Sequence, residues 1–309
     1  MAQTGAIGDK IFRSVLLIAA ASILLIVAAI FVMMTISAMP TLERFGFGFL
    51  VGTEWKPAQE NFGALPFIYG TVVSSLIALL LSVPISLGIA IFLVEQAPQK
   101  VARPIAFIVE LLAAIPSVVY GLWGIFVLAP LIRNYLGPFL QGYFGFIPLF
   151  QGRLTGIGMI TAAIILALMI TPIITAVVRD VLAAVPTTQR EAALALGATK
   201  WETTTIVLGN AASGIAGAVV LGLGRAIGET MAVTMVIGNS PQITASLFEP
   251  ANTIASLLAA NFAEATDRVY LSALIEIGLV LFLVTFVVNA LAKLLILSVG
   301  RGQGSVKHV

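Results

Sequence analysis

Residues 16–27 read Leu-Leu-Ile-Ala-Ala-Ala-Ser-Ile-Leu-Leu-Ile-Val, and they lie inside a longer run without charged residues, 14–42. A helix needs about 20 consecutive apolar residues to cross a hydrocarbon core of about 30 Å. The run is apolar at both odd and even positions, whereas a strand of a membrane barrel alternates between apolar and polar residues. The stretch therefore predicts a transmembrane helix.

Five further runs of this kind follow along the chain. Of the 309 residues 60% are hydrophobic and only 10% are charged, whereas soluble domains carry about 25% charged residues. The further runs, the last of which contains Glu276, are 61–94, 111–132, 154–178, 203–224 and 269–292. We predict an all-α membrane protein, a single transmembrane domain over 1–309, with six transmembrane helices at about 14–39, 67–94, 104–131, 155–178, 207–237 and 269–297.

The basic residues between the runs predict the orientation. Lysine and arginine concentrate in cytoplasmic loops. With the N-terminus placed in the cytoplasm, ten of them lie inside and five outside, so we expect both termini to be cytoplasmic. Lys10 and Arg13 precede the first helix as they would precede a signal peptide. The apolar run of this first helix is about twice as long as the usual apolar core of a signal peptide, which has 7–15 residues. Its length favours a helix that is retained in the mature protein.

The composition also excludes several classes of function. The chain has no cysteine and one histidine, His308, so thiolate nucleophiles and clusters of cysteine or histidine around a metal are not expected. A net charge of +2 is too small to indicate a nucleic-acid partner. The chain has no Gly-x-x-x-x-Gly-Lys-Ser/Thr stretch, so it does not bind ATP through a P-loop. We therefore predict no metal and no cofactor, and a lipid bilayer as its surroundings.

The connection between the fourth and fifth predicted helices has the composition of a separate helix. Residues 186–200 start at a proline, are rich in alanine around Glu191-Ala192-Ala193, and reach Gly197, a common helix stop. A short helix with small residues on one face can lie in a groove of another protein. The pattern by itself leaves two readings open, a docking helix and a simple connection.

The fifth predicted helix contains two charges, Arg225 and Glu229, which lie four residues apart on one helical face. Membrane insertion of a charged residue at the helix centre costs about 2.5–3.5 kcal/mol. Because this cost is high, charged residues inside membrane helices commonly have a function. Glycines at 224 and 228 allow another helix or a ligand to approach the backbone. A guanidinium binds tetrahedral oxyanions through two parallel hydrogen bonds, and a neighbouring carboxylate can orient it or compete for it. The alternative is an ion pair that only fixes helix packing.

Other residues inside the predicted helices have simpler interpretations. Glu110 and Glu276 lie in the third and sixth helices, and we expect them to pair or to reach an interface rather than to take part in transport. Pro84, Pro116 and Pro172 lie in the second, third and fourth helices, where each frees a backbone carbonyl and permits a kink.

Glu191-Ala192-Ala193-x-x-x-Gly197 resembles the EAA motif of the membrane subunits of bacterial ABC importers. The resemblance implies the type I ABC importer permease fold. It also implies that 186–200 is a cytoplasmic coupling helix, which contacts an ATPase subunit through Glu191, Ala192, Ala193 and Gly197. The motif usually continues to Ile-x-Leu-Pro, whereas this chain has Ile-Val-Leu-Gly at 206–209.

Residues 221–233, Leu-Gly-Leu-Gly-Arg-Ala-Ile-Gly-Glu-Thr-Met-Ala-Val, are similar to the signature of the phosphate-specific (Pst) importer permeases of the PstC type. So are 69–75, Tyr-Gly-Thr-Val-Val-Ser-Ser, and 111–124, Leu-Leu-Ala-Ala-Ile-Pro-Ser-Val-Val-Tyr-Gly-Leu-Trp-Gly. The resemblance implies a non-catalytic permease subunit in the bacterial inner membrane, with Arg225 and Glu229 in the phosphate pathway.

The same resemblance implies the partners of the chain. They are a second permease subunit forming a heterodimer, two ATP-binding subunits, which bind the ATP, and an extracytoplasmic phosphate-binding protein. Two alternatives remain open: the first is the same ATP-driven machine with another oxyanion as its substrate, and the second works without an ATPase. One is an ABC permease for sulfate or molybdate, and the other is a secondary transporter or channel that needs no ATPase. A membrane enzyme is a fourth hypothesis, which the missing acid–base and metal residues disfavour.

Overall fold

The computed structural model describes the backbone of residues 2–301 and the side chains of residues 8–9 and 12–294, and His308 lies outside this range. Within it most of the chain is helical. The helices are α1 (Ala2–Phe45), α2 (Gly48–Val51), α3 (Leu65–Ile91), α4 (Gln99–Ala113), α5 (Ser117–Trp123), α6 (Ala129–Leu131), α7 (Gly137–Phe144), α8 (Met159–Ala183), α9 (Thr187–Ala195), α10 (Lys200–Ile227), α11 (Met231–Val236), α12 (Ile254–Asn261) and α13 (Arg268–Arg301). A two-residue antiparallel hairpin pairs β1 (Trp55–Lys56) with β2 (Asn61–Phe62).

Six helical segments within the described range are long and apolar enough to cross a membrane. They are Phe12–Phe45, Leu65–Gln96, Ser117–Phe144, Met159–Ala183, Lys200–Ile227 and Arg268–Leu294. The third consists of α5, α6 and α7, which two π-helical turns join into one continuous segment. The predicted all-α class with six transmembrane helices is therefore confirmed.

The third segment departs from the prediction. The sequence predicted one helix over 104–131. In the structure this helix is interrupted at 114–116, and a new helix begins after Pro116. Proline has no N–H to continue the helical ladder, and its ring restricts the residue before it. The kink expected at Pro116 is thus a complete break. By contrast, α3 continues through Pro84 and α8 continues through Pro172, with the backbone hydrogen bonds of the neighbouring turns retained.

The fifth segment also differs from its predicted range, 207–237. It starts seven residues earlier, because Thr199 and Glu202 form a reciprocal capping box at the N-terminus of α10. It ends ten residues earlier, because the chain breaks at 228–230 before α11 begins. The helix is uninterrupted at Gly209, where the motif usually has a proline.

Helix α8 is the centre of the bundle. Two thirds of its most apolar window are buried, against a third or less for the other five segments. It packs closely on α3 because the facing side of α3 carries small side chains, and Ser86 Oγ donates a hydrogen bond to the carbonyl oxygen of Thr171 at 3.1 Å. The buried small polar residues of α3 are Thr71, Ser74, Ser75, Ser82 and Ser86.

Helix α1 lies at the edge of the bundle and contacts α13. Thr41 Oγ1 and Ser272 Oγ share a buried hydrogen bond of 3.0 Å across this contact. Towards the N-terminus, every side chain over 12–33 is exposed. A surface this apolar requires lipid or another chain against it, as expected for a membrane protein.

The two ends of the bundle differ. We call the end at which α9 lies the α9 face and the opposite end the distal face. At the distal face, the segment 237–253 returns across the start of α3. Tyr69 Oη donates to the carbonyl oxygen of Thr244 at 2.6 Å, and Thr71 Oγ1 accepts from the N–H of Ile254 at 3.0 Å. Gly70 allows this close approach, because its Cα faces the carbonyl group of Asn252.

We expect Gly70→Ala to destabilise the fold, because a Cβ atom there would overlap the carbonyl oxygen of Asn252, a backbone atom that cannot rotate away. Overpacking of this kind costs about 1–3 kcal/mol. Gly88→Ala in the same helix is the matched control, since a Cβ there meets nothing within 4 Å and alanine favours the helix. Thermal aggregation midpoints of fluorescent fusions in detergent compare the two variants. Equal midpoints would contradict the assigned contact.

Candidate functional sites

Arg225 and Glu229 lie where α10 breaks. Nη2 of Arg225 is 3.7 Å from Oε2 of Glu229, and the arginine side chain is 50% exposed whereas the glutamate side chain is 5% exposed. Oε1 of Glu229 accepts the N–H of Ala232 at 3.3 Å, at the start of α11. A separation of 3.7 Å exceeds hydrogen-bond length. The buried carboxylate therefore attracts the guanidinium without occupying its donors, which stay available at the surface of the chain.

The exposed side of Arg225 lines a cavity of about 600 Å³. Gly217 and Gly224 leave it open, since a Cβ atom at either position would meet nothing within 4 Å. An arginine in such an apolar setting attracts an anion more strongly than it would in water. The other residues of the cavity are Ile173, Val220, Leu221 and Asn289.

The helix break at 114–116, just before the third segment, lies beside this site. The sequence did not predict this proximity. A Cβ atom on Gly121 would lie 3.2 Å from Cα of Ala232, and one on Gly124 would lie 2.7 Å from Cγ1 of Val236. Helices α5 and α11 therefore run side by side in the same direction. The helical rise of 1.5 Å per residue places Ser117, the first residue of α5, near the level of the break in α10. Broken membrane helices occur where the backbone is buried in protein or lines a cavity.

Helix α9 occupies part of the predicted range 186–200. It ends in a Schellman motif, with Gly197 at a φ of +86° and the N–H of Ala198 donating to the carbonyl oxygen of Ala193 at 3.1 Å. A Cβ atom on Gly197 would meet nothing within 4 Å. Within this chain, the glycine is therefore required by the backbone conformation and not by a close contact.

The side chains of α9 divide between the chain and the solvent. Glu191 and Ala192 are exposed, whereas Ala193 is buried within the chain and can affect docking only through the packing of α9. Two residues that the sequence analysis did not select, Leu194 and Leu196, are 51% and 90% exposed. Exposed leucines at the end of a short helix indicate a contact surface. An apolar leucine next to Gly197, where α9 ends, is the sequence feature that could have indicated this contact surface.

Arg190 fixes α9 to the rest of the chain. Its Nη2 and Nε atoms donate to Glu95 at 2.8 and 3.2 Å, its Nη1 atom donates to the carbonyl oxygen of Val185 at 2.6 Å, and Nη2 also reaches that of Leu182 at 2.9 Å. Glu95 follows α3 and Leu182 ends α8, so one guanidinium joins three helices. Both charged side chains are largely buried. Sequence reasoning missed this pair because its two residues are far apart in the chain.

We expect Arg190→Met to destabilise the protein by about 3 kcal/mol, because Glu95 would be left as a buried charge without its partner. The double variant Arg190→Met/Glu95→Met should recover most of this loss. Arg44→Met breaks a half-exposed pair with Glu60 and serves as the control, with an effect below about 1 kcal/mol. Thermal unfolding in detergent measures all three. A double variant as unstable as the single one would contradict the assigned ion pair.

The two remaining acidic residues behave differently from each other. Glu110 of α4 accepts a hydrogen bond of 2.8 Å from Nη1 of Arg179 of α8, as the expected pairing requires. Glu276 of α13 forms no ion pair among the described residues; it is buried and lines a cavity between α13 and α1. Among the described residues, no group of three or more histidine, cysteine, aspartate or glutamate side chains could hold a metal ion.

Comparison with known proteins identifies the family. A family profile described as "Binding-protein-dependent transport system inner membrane component" matches residues 82–301. A protein named "Phosphate transport system permease protein PstC" from Xylella fastidiosa (strain 9a5c) is 46% identical over 302 residues, which cover 96% of this chain and 93% of the relative. The chain belongs to the PstC permease family. This agrees with the resemblance of 221–233 to the PstC-type signature.

Further PstC permeases show the same extent of similarity. Relatives with the same printed name from Mesorhizobium japonicum and Haemophilus influenzae are 44% and 43% identical, over 97% and 96% of this chain and 93% and 95% of their own lengths. As a member of the PstC family, the chain is a non-catalytic, multi-pass subunit of the inner membrane that works with other ABC transporter components. The family membership argues against the enzyme and the ATPase-independent transporter.

A solved structure supports the fold of the PstC chain. An inward-facing structure of the MetNI methionine ABC transporter matches with a TM-score of 0.58 and 18% identity, covering 75% of this chain and 94% of that chain. At this identity the likeness concerns the fold alone. The predicted ABC importer permease fold is thereby confirmed.

Proposed function

We propose that this chain is a membrane-spanning subunit of an ATP-driven importer of inorganic phosphate and forms part of its translocation pathway. The observation that carries the proposal is the half-exposed guanidinium of Arg225 in an apolar cavity, with the Glu229 carboxylate buried behind it. The chain's relatives are named phosphate transport permeases, and the arginine supplies the chemistry that an oxyanion needs.

The position of Arg225 supports a pathway shared between two chains. Its side chain lies at the surface of the bundle, and Gly217, Leu221 and Gly228 are exposed on the same side of α10. Two glycines, a leucine and one arginine on an open surface form a wall rather than a closed channel. We infer that a second permease subunit supplies the opposite wall, and that the ATP-bound and nucleotide-free states of the complex expose Arg225 alternately to the two sides.

Glu229 adjusts the strength of binding and its selectivity. Transport requires that an anion bind firmly enough to enter and weakly enough to leave. A carboxylate 3.7 Å from the guanidinium reduces the net positive charge of the site, and it can accept a hydrogen bond from a protonated phosphate oxygen. Sulfate carries no such proton at neutral pH, so it would meet only repulsion from the carboxylate. This arrangement favours phosphate over the sulfate alternative.

Helix α9 supplies the proposed contact with an ATPase subunit. Its exposed residues Glu191, Ala192, Leu194 and Leu196 form a surface at the end of the bundle. Arg190 holds α9 to the ends of α3 and α8. A movement of α9 would therefore be transmitted to these membrane helices. In this proposal the α9 face and both termini are cytoplasmic, two ATP-binding subunits dock there, and an extracytoplasmic phosphate-binding protein delivers phosphate at the distal face.

Uptake of labelled phosphate by cells that lack this chain tests the proposal. Expression of the chain with its neighbouring subunits should restore energy-dependent uptake, and unlabelled phosphate should compete whereas a 100-fold excess of sulfate or molybdate should not. Competition by sulfate or molybdate at equal concentration would favour the other oxyanion permease. Co-purification of an ATP-binding subunit with the chain, lost in Leu196→Glu, tests the docking surface separately.

A further inference from the structure

The carboxyl group of Glu276 in α13 takes no part in the proposed phosphate pathway. Glu276 is only 3% exposed, and its Oε2 atom is buried without a hydrogen-bond partner among the described residues. It lies eight residues into α13, about 12 Å from Arg268 at the distal face. An ionisable group at this depth in a membrane segment is expensive to bury and needs a partner.

A cavity of about 370 Å³ lies between α1 and α13, and Glu276 lines it. It follows α1 from Leu42 to Phe31, a length of about 16 Å at the helical rise, and Gly46 and Phe47 line its distal end. Phe31, Phe47 and Leu283 are exposed at its rim, so the cavity opens on the side of the chain that faces away from the bundle. Its shape and apolar lining suit a hydrocarbon chain.

The hydroxyl groups beside the cavity leave Oε2 of Glu276 without a hydrogen bond. Thr35 donates its proton to the carbonyl oxygen of Phe31 at 2.8 Å. Thr41, whose hydroxyl lies next to the Glu276 carboxyl group, is shared with Ala38 and Ser272 at 3.0 Å each. A hydroxyl has one proton to donate. Among the residues with described side chains, no lysine or arginine lines the cavity. A donor for Oε2 would therefore have to come from outside the described part of the chain.

We propose that the cavity between α1 and α13 binds a phospholipid with a primary ammonium group, which donates hydrogen bonds to Glu276 while an acyl chain lies along Phe31, Leu279 and Leu283. A primary ammonium supplies both positive charge and N–H donors. A trimethylated choline headgroup supplies the charge without a donor. The buried carboxyl group thus discriminates between two zwitterionic lipids that are otherwise alike.

Native mass spectrometry of the full chain, purified in mild detergent, tests the proposal with two probes, phosphatidylethanolamine and phosphatidylcholine of identical acyl chains. We expect the wild type to retain the ethanolamine lipid about tenfold more than the choline lipid, which corresponds to about 1.4 kcal/mol. Glu276→Gln should reduce this ratio below about twofold. Glu43→Gln, which changes an exposed carboxylate on α1, is the matched control and should keep the tenfold preference.

A second variant keeps the test independent of any folding defect in Glu276→Gln. Leu283→Trp at the rim should fill the cavity and reduce retention of both lipids severalfold, without changing the Glu276 carboxyl group. Equal retention of the two lipids by the wild type would overturn the proposal, as would a preference that survives Glu276→Gln. Photo-crosslinking from position 283 that captures a polypeptide instead of lipid would also overturn it, because another chain would then occupy the cavity.

Discussion

Arg225→Gln is expected to lower phosphate uptake about 100-fold while the protein still inserts and assembles. Glutamine keeps a similar length and one amide group, but it loses the positive charge and the paired N–H donors that hold an oxyanion. Hydrogen bonds to charged groups contribute about 1.5–3 kcal/mol each, and a loss of 2.7 kcal/mol corresponds to about 100-fold. Assembly should survive because half of the Arg225 side chain faces away from the chain's own core. Initial rates of labelled phosphate uptake provide the measurement.

Three control variants make this experiment specific. Arg225→Lys keeps the charge without the planar fork and should retain uptake at about a tenth of the wild-type rate. Arg133→Gln removes an exposed arginine far along the third segment and should transport normally. Glu229→Gln should increase competition by sulfate, because the repulsive carboxylate is removed. Full uptake by Arg225→Gln would show that the Arg225–Glu229 pair is structural, and the phosphate pathway would have to be sought elsewhere.

The second large effect is expected at the end of α9. Gly197→Val should abolish ATP-driven uptake, because a β-branched residue at a φ of +86° is strained by about 1–3 kcal/mol. The strain would unwind the last turn of α9, which presents Leu194 and Leu196. We expect loss of the co-purifying ATP-binding subunit together with loss of uptake, measured on the same membranes.

Gly197→Asn distinguishes the two ways in which this glycine could act. Asparagine tolerates the left-handed conformation, and the space around the position is open. If the backbone conformation is what matters, Gly197→Asn should retain most of the uptake and the co-purification. If an ATPase subunit instead packs against the bare glycine, asparagine and valine should be equally defective, and our account of Gly197 would be wrong. Glu191→Lys, which inverts an exposed charge on α9, should weaken docking without changing the stability of the chain.

The number and type of the membrane helices could be predicted because they follow from local properties. A run such as 14–42 has no state of low free energy in water, whatever the rest of the chain does. The breaks at 114–116 and 228–230 were less predictable. Three prolines lie in similar apolar surroundings, yet the helix continues at Pro84 and Pro172 and ends at Pro116. Whether a proline kinks a helix or ends it depends on what neighbouring helices offer to the freed backbone groups.

The candidate sites show the same division. Arg225 and Glu229 could be selected from the sequence because two charges in an apolar run are costly and lie one helical turn apart. The exposure of the arginine, the burial of the glutamate and the cavity beside them could not, since they depend on how α8, α10 and α13 pack. The Arg190–Glu95 anchor and the orphan carboxyl group of Glu276 were also beyond the sequence.

The sequence by itself therefore determined the class of the protein, its six membrane segments, the α9 connection and the resemblance to phosphate permeases. These follow from hydrophobicity, short-range spacing and local motifs. Only the tertiary structure decided which helices break, which charges are buried and which remain available to a ligand. The physical reason is that the free energy of a charge or of an unpaired backbone group depends on its surroundings, and residues distant in sequence supply those surroundings.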